Sequence, residues 1–250
     1  MELLDFMKKI AVIGGSGLGK PGILENPVEK SVRNKYGEPS SSLVCGRIEG
    51  TEVVVLARHG KDHTVMPTRV NFRANILALK EVGCTHILAA TAVGSLREEI
   101  KPGNLVFPSQ FIDFTRQRQM SFFTEEVVHT PMSEPFDRGL RDILCQSCKE
   151  LNFSYNRDVT VITIEGPRFS TKAESRLFRS WGADIVNMST CPEVMLAGEL
   201  GIPYQTIAMS TDYDCWKENE EPVTYEKVMA IMNQNAEKVK KLLLHAIRKI

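Results

Sequence analysis

The chain has 250 residues, 42% hydrophobic and 25% charged, a balance close to the globular average that argues against disorder and against membrane spanning. Its 31 basic and 31 acidic residues cancel, so there is no overall field for capturing nucleic acid or an acidic membrane surface, and a small ligand is expected. One α/β domain over residues 1–250 suffices, because such folds often exceed ~100–200 residues.

The run Leu3-Leu4-Asp5-Phe6 is interrupted by a charge and is too short for a secretory or spanning segment, which predicts a cytoplasmic protein, with the nucleus open as a second location. Its six cysteines are then expected to be reduced. Cys145 and Cys148 form a C-x-x-C pair on a helix, without a second pair to complete a zinc site, so no metal is expected.

An apolar strand, Ile10-Ala-Val-Ile13, runs into Gly14-Gly-Ser-Gly-Leu-Gly-Lys20. The turn fits neither the triphosphate loop, because Pro21 stands where a hydroxyl should hold magnesium, nor the dinucleotide fingerprint, because its third glycine is misplaced. It reads as an oxyanion site or as a tight turn without a ligand. Strands over 43–48 and 52–57 lead into Arg58-His59-Gly60-Lys61-Asp62-His63, and a helix is expected from Pro67 to a stop at Gly83. A buried strand over 86–90 delivers a small-residue turn, Thr91-Ala-Val-Gly-Ser95, and another strand begins at 104–107. Residues 115–135, which include His129, read as a long loop of the kind that is usually functional.

Beyond it the pattern alternates: a helix over 136–151, a strand over 159–164, and a capping box at Thr171-x-x-Glu174 opening a helix that ends near Gly182. A strand over 184–188 follows, then a second capping box, Thr190-x-x-Glu193, with Pro192 in its first turn, and a strand over 204–209. Val228, Ile231, Met232, Val239, Leu242, Leu243 and Ile247 keep helical spacing to the end. This alternation predicts a mixed, largely parallel central sheet flanked by helices, with ligands at the strand ends.

Gly14–Gly17, Arg58-His59, Thr91-Ala92 and Asn187-Met188-Ser189 place hydroxyls, backbone N–H groups and a guanidinium beyond strands, donors suited to phosphate. Each also has a structural explanation; Arg58 could pair with a surface carboxylate, and His59 and His63 could be ordinary loop histidines. Asp212 and Asp214, two residues apart, could point the same way, and shelter by Tyr213 and Trp216 would favour the protonated form of one acid. The alternative is a solvated acidic loop.

Several collinear segments carry a more specific signal: Ile13-Gly-Gly-Ser-Gly-Leu18, Leu56-Ala-Arg-His-Gly60, Asn75-Ile-Leu-Ala-Leu-Lys-Glu81, Thr91-Ala-Val-Gly-Ser-Leu-Arg-Glu-Glu-Ile100, Ile164-Glu-Gly-Pro-Arg-Phe169 and Thr211-Asp-Tyr-Asp-Cys-Trp216. Together they closely resemble the methylthioadenosine phosphorylases, in the trimeric branch of the purine nucleoside phosphorylases. The resemblance implies a nucleoside phosphorylase-like fold and phosphorolysis of 5′-methylthioadenosine to adenine and 5-methylthioribose 1-phosphate, in purine and methionine salvage. Inorganic phosphate is then a co-substrate, with no cofactor. The implied phosphate contacts are Ser16, Arg58, His59, Thr91, Ala92 and Ser189. Phe169 and Met188 would contact the nucleoside, Asp212 would serve as acid at N7, and Asp214 as its partner in reading adenine. In the implied homotrimer His129 reaches a neighbouring subunit's methylthio pocket, alongside that subunit's Tyr225 and Val228.

Three departures stand out. Ser16 and Ser189 replace a threonine common in relatives, keeping the hydroxyl but losing the methyl group that steadies its rotamer. The loop before His129 is shortened, and the sequence stops at Ile250, before an extension that in relatives helps close the adjacent pocket. Specificity at the 5′ group therefore stays open to a purine nucleoside phosphorylase that also takes adenosine, or to a weakly catalytic nucleoside-binding protein.

Overall fold

The structure is a computed structural model that describes residues 8–14, 23–218 and 224–250, apart from the side chains of residues 225, 227–230 and 232–234. Among them lie strands β1 (Lys9–Gly14), β2 (Glu25–Lys30), β3 (Leu43–Ile48), β4 (Thr51–Ala57), β5 (His86–Ser95), β6 (Leu105–Phe114), β7 (Tyr155–Ile164), β8 (Ile185–Asn187) and β9 (Tyr204–Asp212). The helices are α1 (Phe72–Glu81), α2 (Arg138–Glu150), α3 (Lys172–Ser180), α4 (Thr190–Glu199) and α5 (Tyr225–Ile247).

The strands form one mixed sheet in the order β2-β3-β4-β1-β5-β8-β7-β6-β9, and β9 also pairs with β5. Strands β5, β8, β7, β6 and β9 thus close into a ring, to which the open run from β1 to β2 is attached through β5. Parallel pairing joins β1 to β4 and β5, β5 to β9, and β7 to β6 and β8. The ends of β4, β5 and β9 consequently emerge on one side.

Alternate residues of β1 explain why the strand is apolar throughout. Ala11 and Ile13 pack with Ile76 and Leu79 of α1 and with Val194 and Leu196 of α4. Ile10 and Val12 pack with Leu144 of α2 and Leu242 and Leu243 of α5. Cys145 and Cys148 lie on α2, both buried. At Thr171 the expected capping box forms, with Glu174 completing it.

Several elements differ from expectation. The edge strand β2, exposed along its whole length and carrying Glu25-Asn-Pro-Val-Glu-Lys30, has no alternating pattern to announce it. Residues 91–95 do not form a turn; they continue β5, because β9 and β8 pair with them. Pro67 begins a separate short 3₁₀ turn, and α1 starts only after Asn71, whose side chain accepts from the Ala74 amide. The second capping box is absent: Ser189 stands at the N-cap of α4 without a side-chain cap bond, Cys191 is non-helical, and the Glu193 side chain is engaged elsewhere. Residues 115–137 hold no regular element. Arg118 anchors them, donating to Glu165 Oε1 at 3.1 Å and to the carbonyls of Glu165 and Cys191 at 2.8 and 2.6 Å.

Candidate active site

A cavity of about 450 Å³ opens where β4, β5, β8 and β9 end. Its lining contains nine of the expected residues: Arg58, His59, Thr91, Ala92, Phe169, Met188, Ser189, Asp212 and Asp214. Phosphate donors and acidic residues, separated by more than half the sequence between Arg58 and Asp214, therefore share one chamber.

Arg58 follows β4 directly, and its backbone N–H donates to the Gly14 carbonyl at 2.9 Å, placing the end of β1 beside it. Ser16 lies outside the described residues. The guanidinium does not meet a surface carboxylate. It is buried, and its Nε and Nη2 donate to the two oxygens of Glu193 at 2.8 Å each, while Nη1 donates to the Ala90 carbonyl at 2.9 Å. A guanidinium carries five N–H groups, so one remains on each terminal nitrogen. Tyr204, also buried, donates its Oη–H to Glu193 Oε1 at 2.7 Å. Burial, reinforced by the Glu193 charge, raises the Tyr204 phenol well above its ordinary range and keeps it a donor.

His59 Nδ1 lies 2.9 Å from the Val65 carbonyl oxygen, a contact that requires an N–H there and leaves Nε2 as the acceptor of a neutral ring. Burial first, and the Arg58 charge second, push the imidazole down to about 4. His63 packs against it with ring centroids 4.7 Å apart and also lines the cavity. The Thr91 and Ser189 hydroxyls, 2.8 Å apart, come from β5 and from the turn between β8 and α4. That turn is fixed by Asn187, which accepts from Thr163 at 3.0 Å and donates to Thr190 at 2.7 Å. Asn187 thus braces Met188 and Ser189.

At the other end, the register between β5 and β9 shifts: Val93 pairs with Ser210, but Gly94 pairs with Asp212, leaving Thr211 as an extra residue that re-aims the strand end. Thr211 Oγ1 lies 2.6 Å from Asp212 Oδ2 and 3.2 Å from the Val93 carbonyl. The Asp214 amide donates to Asp212 Oδ1 at 2.7 Å. Burial raises the pKa of both acids, and for Asp212 the Asp214 charge adds to it. Gly94 makes room: a Cβ there would lie 3.1 Å from Asp212 Oδ1 and 3.1 Å from Val186 Cγ1. Trp216 holds the following segment, its Nε1 donating to the Ser95 carbonyl at 2.8 Å.

Phe169 is partly exposed at 42%, and Met188 lies deeper. His129 is exposed on the long loop and does not line this cavity. Tyr225 and Val228 belong to α5, but their side chains lie outside the described residues. Among the described residues no cluster of three or more His, Cys, Asp or Glu could hold a metal, and no helix is long and apolar enough to cross a membrane.

Sequence reasoning missed Glu193, Tyr204, Thr211 and Gly94. A signal for Glu193 was present: it is the lone charged residue in the apolar stretch from 185 to 198, where a carboxylate is costly unless paired.

Residues 9–248 match the model of the phosphorylase superfamily. The chain is 51% identical over 248 residues to the S-methyl-5′-thioadenosine phosphorylase of Danio rerio, covering 97% of this chain and 89% of that protein. It is 52% identical over 249 residues to the corresponding Xenopus tropicalis protein, with the same coverage. A solved methylthioadenosine phosphorylase from Schistosoma mansoni in complex with adenine superposes with a TM-score of 0.93 at 39% identity, covering 97% of this chain and 91% of the other. The family model, the relatives and the shared fold agree: this chain belongs to the phosphorylase superfamily, among the S-methyl-5′-thioadenosine phosphorylases.

Proposed function

We propose that the chain cleaves 5′-methylthioadenosine with inorganic phosphate, releasing adenine and 5-methylthioribose 1-phosphate. The observation that carries this reading is the shared cavity, in which the donors of Arg58, Thr91 and Ser189 face a chamber that also holds Asp212 and Asp214. A phosphate dianion held at the first end attacks C1′ as the C1′–N9 bond breaks, and the bonding pair leaves with the purine. Positive charge develops on the ribosyl group and negative charge on the base, so phosphate and an acid at N7 both stabilise the transition state more than the ground state. Asp212, favoured in its protonated form by burial, supplies that proton. Asp214 accepts from the 6-amino group and disfavours a 6-oxopurine. Phe169 and Met188 contact the nucleoside, and Ser16 completes the phosphate site.

The residues provide this chemistry by charge placement and proton transfer, without a cofactor. We further place the enzyme in purine and methionine salvage, in the cytoplasm, as a homotrimer. Support for the trimer is the exposed loop bearing Val127, Val128 and His129, which can reach a neighbouring subunit's methylthio pocket beside Tyr225 and Val228.

Incubation of methylthioadenosine with and without phosphate tests the activity. Adenine release is expected only with phosphate; phosphate-independent release would make the enzyme a hydrolase. Preference for adenosine over methylthioadenosine would overturn the assigned 5′ specificity, and a monomer by sedimentation would overturn the trimer.

A further inference from the structure

We infer that Glu193 and Tyr204 are positioning residues for Arg58, setting the affinity for inorganic phosphate although neither lines the cavity. This inference rests on the proposed phosphorolysis.

The three side chains come from separate elements: Arg58 from the end of β4, Glu193 from α4 and Tyr204 from the first residue of β9. Each is almost entirely buried, with exposures of 2%, 0% and 2%. Two parallel bonds from one guanidinium edge to one carboxylate fix the plane of the fork as well as its position. The Ala90 carbonyl holds Nη1, and the two remaining N–H groups are the ones an anion in the cavity can use. Oε1 accepts from both Arg58 Nη2 and Tyr204 Oη, so the hydroxyl satisfies carboxylate capacity that the guanidinium would otherwise have to supply.

Glu193 also balances the Arg58 charge, which lets the guanidinium remain buried before phosphate arrives. Without the Tyr204 hydroxyl, Glu193 is held by Arg58 alone. The pair can then rotate to draw on N–H groups that phosphate needs. A purely structural role, such as the packing of Tyr204 on Phe136 at 6.2 Å, would lower stability without singling out one substrate.

The test is Tyr204→Phe, which keeps the ring and the ion pair, measured by calorimetric phosphate binding and by steady-state kinetics in both substrates. Phosphate dissociation constant and KM are expected to rise roughly 3- to 10-fold, the scale of one ordinary net hydrogen bond because the loss reaches phosphate only through Arg58, while the methylthioadenosine KM changes less than about twofold. Glu193→Gln should raise them by roughly 10- to 100-fold; if it fails to fold, Tyr204→Phe carries the test alone. Unchanged phosphate affinity in folded Tyr204→Phe, or equal losses for both substrates, would overturn the inference. Phosphate-independent turnover by the unaltered enzyme would instead defeat the proposed function, and the calorimetric comparison would still decide this one.

Discussion

The backbone amide of Asp214 donates to Oδ1 of Asp212 at 2.7 Å, so the residue proposed to read the base also holds the residue proposed to protonate it. With Oδ1 facing that amide and Oδ2 facing Thr211, the Asp212 carboxyl has a fixed orientation before substrate arrives. Preorganisation of this kind is what a 1 Å displacement destroys.

Replacing Asp212 by Asn keeps the shape and an acceptor for the Asp214 amide but removes the transferable proton. Turnover of methylthioadenosine is expected to fall by roughly 10²–10⁴-fold. Because burial raises the Asp212 pKa, its ionisation weakens folding as pH rises from the ordinary carboxylate value toward the raised one. The variant lacks that cost, which offsets any weakening of the contacts with Thr211 and the Asp214 amide, so its melting temperature should not fall at neutral pH. Near-normal turnover would remove Asp212 from the acid role.

Asp214→Asn presents an amide to the base and can donate to a 6-oxo group. The ratio of kcat/KM for adenine nucleosides over 6-oxopurine nucleosides should fall by roughly tenfold or more. An unchanged ratio would show that discrimination lies elsewhere.

Gly94→Ala tests the close approach of β5 to the acid. Its Cβ, 3.1 Å from Asp212 Oδ1 and 3.1 Å from Val186, forces one neighbour to give. A loss of about tenfold or more in kcat, with phosphate affinity preserved, is expected. Phosphate binding by calorimetry separates this from a global defect.

His59 gives a pH signature. Its folded value of about 4 lies below the ordinary value of 6.5, so the neutral ring stabilises the fold above 6.5, and that stability is lost as pH falls toward about 4. Thermal melting without phosphate should fall over this window, and His59→Asn should flatten part of the fall, with His63, also lowered by burial, accounting for more. Adding phosphate should reduce the wild-type loss, because a bound phosphate anion beside the ring favours imidazolium. Parallel melting curves for wild type and variant would contradict this assignment.

The alternating strands and helices, the Thr171 capping box and the cavity residues at strand ends were legible because each follows from local periodicity or from chemistry placed after an apolar strand. Pairings between distant segments were not. Thr91–Ser95 reads locally as a turn and becomes strand only because β8 and β9 hydrogen-bond to it. Thr190-x-x-Glu193 reads locally as a capping box, yet a buried guanidinium 135 residues away has the stronger claim on that carboxylate. The bulge at Thr211 likewise depends on its partner strand.

The ring formed by β5, β8, β7, β6 and β9 has a consequence for synthesis on the ribosome. Strand β9 pairs with both β5 and β6, so until it has emerged, those two strands present open edges. The contact of Thr211 with Val93, 118 residues apart, forms in the same step that brings Asp212 to Gly94. Completing the barrel and assembling the acid end of the cavity are therefore one event, late in translation. A nascent chain stalled before Tyr204 would carry Arg58 without Glu193's second donor, unpaired strand edges prone to association, and a half-built cavity.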